Sequence, residues 1–526
     1  MKTEEVMVLL LGAVVGIVLL GRRLNVPYPI ALVLGGLGIS LVPGLPAVRL
    51  QPELIFLFFL PPLLYAAAWF TSWHEFKANF RPIFLLAVGL VIFTTLIVGF
   101  VLHAFIPEMP LSVGCALGAL VSPPDAVAAT AIAQQMHLPK RIVTILEGES
   151  LVNDATGLVA LRFALAAAVS GTFSPLQASG QFVWVVVGGI GLGLLVGLVM
   201  VKIMQTIKND TLLITLSVLA PYLAYLPSER LGVSGVLATV AASIYGGWKE
   251  PELLTASTRL NAVAFWDMLV FLLNCALFIL IGLQLPDVVK NLGHRSLAQA
   301  IGYGAAVSLL VIVIRPIWVY PAAWLPRLMS KRLRARDPIP AWQTIAVISW
   351  SGMRGVVSLA AALALPMALA NGRPFPQRDL VIFLTFCVIL ATLVLQGLSL
   401  PFLIRFLRVK APPSEGHERE ARLKLAHAAL AQLNKLAEQK HLNEEALQHV
   451  TSIYQDRVTH LSDDLAEVLG WSQNRERAIA TRRLWLEALD AERREMIKLR
   501  REHKLDEELM HRIEREMDLE EMRLKS

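Results

Sequence analysis

Charge is scarce in this chain. Asp, Glu, Lys and Arg supply 17% of its 526 residues, where a soluble domain of ordinary composition carries about 25%. Hydrophobic residues take 55% of the positions, so a water-facing surface over most of the length is excluded. Cysteine is rarer still. Cys115, Cys275 and Cys387 each lie inside an apolar run, which argues against a disulfide framework or a thiolate metal centre and for small packing residues. Histidine is thin where the chain is apolar: His417, His427, His441, His449, His460, His503 and His511, out of 11, all follow residue 411. With no activated Ser/His pair or paired catalytic Asp motif in the apolar part, an intramembrane hydrolase is set aside. No cofactor is expected. The net charge of +7 does not point to nucleic acid, because many of the basic residues sit in short loops between apolar runs.

Long apolar runs fill residues 1–410. A helix needs about 20 apolar residues to cross a bilayer, and this rule predicts about thirteen spans, from Val6–Leu20 to 379–407. The first is read as a retained span rather than a signal peptide, since no small-residue cleavage pattern follows it. Residues 411–526 are polar and helical in pattern, with Leu423, Ala426, Leu430, Leu433 and Ala437 at alternating steps of three and four. A second helical stretch runs from Trp485 to Leu524. The tail histidines could sense pH, but their irregular spacing favours ordinary solvated side chains. Basic residues number about fifteen in the loops after odd spans and about seven on the other side, which predicts an outside N-terminus and a cytoplasmic tail. Gly188, Gly189, Gly191, Gly193 and Gly197 permit close helix packing in span seven.

The informative residues are charges where lipid should be. Asp125, Glu149, Asp154, Arg162, Asp267, Arg315 and Arg354 fall in apolar runs, and each costs at least about 2.5–3.5 kcal/mol if left facing lipid. They must pair or line a wet cavity. Counting along the spans at about 1.5 Å per residue puts Asp125, Asp154, Arg315 and Arg354 near one mid-bilayer level. Asp267 falls near a span end and reads as a boundary residue. Span six carries Glu149-Ser150-Leu151-Val152-Asn153-Asp154. Ser150 and Asp154 share one face, and Glu149 and Asn153 share the adjoining one. These hard oxygen donors suit an alkali cation or a proton. A polar helix-packing network is the blander reading, weakened by two carboxylates on one apolar helix.

Span five contains Ser122-Pro123-Pro124-Asp125. Two prolines break the helix and free carbonyls that could bind a cation. Span twelve holds Ser351-Gly352-Met353-Arg354-Gly355, another candidate break. The two lie seven spans apart, an odd number, so they would run in opposite directions. That is the pattern of two inverted repeats, spans 1–6 and 8–13, with interrupted helices crossing at the binding site.

At these residues the sequence resembles the monovalent cation/proton antiporter family, in its electroneutral sodium/proton exchanger branch. The Glu149–Asp154 segment is similar to that branch's Asn-Asp motif, and Gly352-Met353-Arg354-Gly355 to its interrupted-helix motif. The resemblance implies sodium or lithium exchange for protons, one for one, by alternating access in the cell membrane, serving pH homeostasis. It implies that Asp154 binds cation and proton in turn, that Asp125, Ser150 and the Pro124 carbonyl complete the sodium shell, and that Asn153 replaces a second aspartate. Glu149 and Arg315 would form a structural ion pair, and Arg354 would balance charge at the crossing. A homodimer is also implied. Some exchangers carry an acid just after the proline pair of span three, where this chain has Ala66. Potassium/proton exchange on the same scaffold, or a membrane sensor with a signalling tail, are the competing expectations.

Overall fold

The computed structural model describes residues 3–42, 52–106, 108–136, 138–170, 175–292, 296–368, 374–409, 415–437 and 447–455, with short pieces at 458–459, 492, 517 and 519–520. The chain divides into two compact units, Met1–Ala411 and Pro412–Ser526.

In the first unit the helices are α1 (Thr3–Arg23), α2 (Tyr28–Ser40), α3 (Pro52–Trp69), the short α4 (Trp73–Ala78), α5 (Phe80–Phe105), α6 (Leu111–Val121), α7 (Ala126–Gln135) and α8 (Lys140–Ser170). They continue with α9 (Pro175–Thr206), α10 (Asp210–Arg230), α11 (Gly235–Leu253), α12 (Ala256–Leu283) and α13 (Leu297–Met329). After these come the short α14 (Lys331–Arg336), then α15 (Trp342–Trp350), α16 (Val356–Leu363) and α17 (Arg378–Leu407). The fold is all-α. Among the described residues nine helical segments are long and apolar enough to cross a membrane, and α2 is a shorter apolar helix. The difference from about thirteen has an evident source in part: α15 and α16 have 9 and 8 residues, each too short to span alone because the chain breaks between them.

Two groups of helices meet at the site. One contains α5, α6, α8, α13, α16 and α17, where α5 packs on α6, α6 on α8 and α13 on α17. Its interior is a continuous apolar core that includes Leu117, Ile132, Ile142, Leu359 and Phe386, all fully buried. The other contains α3, α9, α10 and α11, with α2 packed on α12 beside it. Here α9 approaches the α11 backbone closely: a Cβ at Gly193 would collide with Ala238. The span-seven glycines Gly189, Gly193 and Gly197 are thus used within the chain, while Gly191 faces open space.

Three helices contain π-helical turns, at Ile55–Phe59, Leu85–Leu90 and Thr392–Gln396. In the second unit a helix covers Glu415–Ala437. Of the stripe, Ala426 is buried, Leu423, Leu430 and Leu433 are half-buried and Ala437 is exposed; His427 is exposed as well. Most of Trp485–Leu524 lies outside the described residues, as do His441, His460, His503 and His511.

Candidate functional site

The site forms where two broken helices cross. Between α6 and α7 the residues Ser122-Pro123-Pro124 leave the helical path, and Asp125 restarts it as the N-cap of α7, its Oδ1 accepting from the Val127 N–H at 2.8 Å. An N-cap carboxylate satisfies one of the donors that a helix start leaves free. Between α15 and α16 the stretch Ser351–Gly355 is non-helical. The two breaks are bonded together: the Asp125 N–H donates to the Met353 carbonyl at 2.7 Å. Gly355 is required at this contact, because a Cβ there would fall into the Asp125 carboxylate. The Arg354 N–H donates to Thr392 Oγ1 at 3.1 Å, so the π-helical turn of α17 also anchors the second break.

Helix α8 passes beside the crossing with two polar faces. On the dry face Glu149 and Arg315 form a bidentate pair, Nη1–Oε1 2.6 Å and Nη2–Oε2 2.8 Å, each side chain 1% exposed. Arg315 Nε also donates to the Ile348 carbonyl at 3.2 Å. One turn on, Asn153 Nδ2 donates to the Pro124 carbonyl at 2.9 Å. Arg354 is equally buried, and among the described residues its Nε and Nη1 have no hydrogen-bond partner.

On the other face, Ser150 and Asp154 open onto a cavity of about 570 Å³. Asp125 and Ser358 share its wall, α3 contributes Leu60 and Ala66, and α12 contributes Asp267 and Asn274. Exposed Phe70, Gln134 and Asp267 mark its outer part. Ser150 Oγ accepts from the Ala126 N–H at 3.4 Å. Asp154 is 9% exposed. Its place 14 residues into α8 puts it about 21 Å from the helix start, near the middle of the span. Among the described residues no ion pair or hydrogen bond engages its carboxylate. A deep carboxyl group with no partner among the described residues, facing a cavity that it shares with Asp125 and Ser150, has the chemistry to take a cation or a proton.

The structure therefore gathers Asp154, Asp125 and Ser150 at one cavity wall. Asn153 and Pro124 lie off that wall and bond to each other, bracing the first break. Glu149 and Arg315 pair as expected of their positions. Arg162 is half exposed and pairs with Glu229 at 2.8 Å. Asp267 is exposed at the outer part of the cavity. Sequence reasoning missed Glu147, which lines the same cavity. Its spacing of seven from Asp154, two helical turns, was the available signal.

Fold and site together define a multi-pass membrane transporter. Comparison with known proteins narrows this. Residues 8–406 match the family described as sodium/hydrogen exchanger, transmembrane, and the chain belongs to that family, whose shared activity is antiport of monovalent cations against protons. It is 35% identical over 524 residues to an uncharacterised Na(+)/H(+) exchanger of Mycobacterium tuberculosis, covering 99% of this chain and 96% of that one. A sodium, potassium, lithium and rubidium/H(+) antiporter of Bacillus subtilis is 36% identical, over 72% of this chain and 58% of its own length. The solved sodium proton antiporter MjNhaP1 of Methanocaldococcus jannaschii superposes with TM-score 0.61 at 21% identity, over 78% of this chain and all of that one.

Proposed function

We propose that this chain exchanges sodium, and lithium with it, for protons across the cell membrane, one for one, with Asp154 as the shared ligand. The carrying observation is that Asp154, Asp125 and Ser150 converge on the cavity beside a broken helix. Glu149, by contrast, is fully committed to Arg315. Sodium sheds water to bind, and the Asp154 carboxylate with Asp125 and the Ser150 hydroxyl replaces it. A proton on Asp154 removes the charge that holds the cation, so the two compete for one group. Asn153 holds the Pro124 carbonyl at the first break and adds no second charge. Arg354 balances the acids at the crossing from the side away from the cavity.

The breaks between α6 and α7 and between α15 and α16 are equivalent parts of two inverted repeats in this reading. The loop charges place the N-terminus outside and the tail in the cytoplasm. The cavity then faces the cytoplasm, because α8 enters from that side at Lys140 and Arg141. The working unit is a homodimer, as the family resemblance implies. A second reading, potassium/proton exchange, is favoured by one observation: small Ala66 and Ala67 line the cavity and leave room for a larger ion.

Dye-monitored exchange in proteoliposomes, with sodium, lithium and potassium over a pH series, separates these readings. Asp154→Asn should abolish exchange of every cation while the protein remains monodisperse. Full exchange in that variant removes Asp154 from its role, and electrogenic currents in the wild type would overturn one-for-one exchange.

A further inference from the structure

We propose that Glu147 recruits cations to Asp154 from the face onto which the cavity opens, setting the apparent cation affinity on that face. The inference rests on the assignment of Asp154 as the cation ligand.

Glu147 and Asp154 lie seven residues apart on α8, on one face, and both line the same cavity, with Ser150 and Leu151 between them. Their spacing along the axis is roughly 10 Å. Glu147 is half-buried. Among the described residues it accepts no hydrogen bond and forms no ion pair, unlike Glu149 two positions on. Arg141, on the same helix, is committed elsewhere, to Asn79 Oδ1 at 3.1 Å and Asp337 Oδ1 at 2.8 Å. The other charges facing this part of the cavity are acidic. Asp267 lines it from α12, and Glu75 of α4, held by the Thr144 hydroxyl at 2.9 Å, lies within electrostatic reach. Glu147 is thus a carboxylate with no cation partner among the described residues, lining the same cavity as Asp154, Gln134 and Phe70.

A structural carboxylate in a transporter is paired, as Glu149 is. An unpaired one facing a water-accommodating space raises the local cation concentration, because a low-dielectric wall focuses its field into the cavity. At roughly 10 Å and an effective dielectric between 80 and 20, one charge changes cation occupancy at Asp154 by about 2- to 15-fold. It does so without touching the bound ion, so the maximal rate is spared.

The test is side-resolved kinetics in right-side-out and everted vesicles, with sodium varied on one face at a time. Glu147→Gln should raise the sodium KM about 2- to 15-fold on the cavity face and leave the opposite face within twofold. The maximal rate should stay within twofold, and the KM effect should shrink as an inert salt is added. Glu147→Asp should restore most of the affinity, which a packing role would not predict. A fall in maximal rate with KM unchanged, an equal change on both faces, or no change in Glu147→Gln would overturn the proposal. Failure of the underlying assignment is read separately: exchange surviving in Asp154→Asn removes the ligand, whereas a dead Asp154→Asn with a silent Glu147→Gln removes only the recruiting role.

Discussion

Removing the Arg315 guanidinium should be among the most damaging single changes in the membrane unit. The Glu149–Arg315 pair is 1% exposed on both sides and doubly hydrogen-bonded, and Arg315 further holds the Ile348 carbonyl ahead of the second break. Truncating one partner of such a pair leaves an uncompensated buried charge, at a cost of about 3–5 kcal/mol. That is a large part of the roughly 5–15 kcal/mol that keeps a typical domain folded. Arg315→Ala is therefore expected to lower the melting temperature in detergent by several degrees or to prevent folding outright. The double variant Glu149→Gln/Arg315→Gln removes both charges and should recover more than half of the loss. Arg162→Ala serves as the contrast, since its pair with Glu229 is half exposed and held by one hydrogen bond, and exposed pairs contribute about 0–1 kcal/mol. Fluorescence-detected size exclusion after a heating series measures all four proteins. If Arg315→Ala melts like Arg162→Ala, or if the double variant is no better than Arg315→Ala, the account of this pair is wrong.

Gly355→Ala forces its Cβ into the Asp125 carboxylate; exchange should fall at least tenfold with the protein still monodisperse, and near-normal rates would show that the crossing is looser than described. Asp337 lies outside the spans, where burial pushes its carboxyl up but Arg141 and Arg327 outweigh that and hold it below the usual carboxylate range. A lowered folded pKa means stability that is present above the unfolded value of about 3.9 and lost as pH falls through the folded one. Asp337→Ala should thus cost about 1–3 kcal/mol near neutrality. Its melting temperature should converge with that of the wild type below about pH 4, and a gap constant with pH would refute the ion-pair origin.

Much of the architecture was legible because lipid imposes a strong pattern: runs of about 20 apolar residues cannot be mistaken for loops. The first break was legible because two prolines cannot continue a helix. The π-helical turns were not, since Ile55–Phe59 and Thr392–Gln396 carry no residue that demands the wider turn. Within α8 adjacent residues diverge by about 100°, so the separate faces of Asp154 and Asn153 were legible. What lies against each face was not: packing turns Asn153 to the Pro124 carbonyl. Glu147 escaped because its face becomes distinctive only when α3 and α12 close the other side of the cavity.

The dry side of α8 is fastened at two points, Glu149 to Arg315 and Asn153 to Pro124, and the break that Asn153 holds is itself tied to the second break by Asp125 and Met353. A rod bolted in this way cannot swivel to offer its carboxylate to a second opening. In the proposed exchange cycle, the movement that exposes Asp154 on the far side must carry α7, α8, α13 and the α15–α16 strap along as one piece, leaving the slip plane at the wall built by α3 and α12.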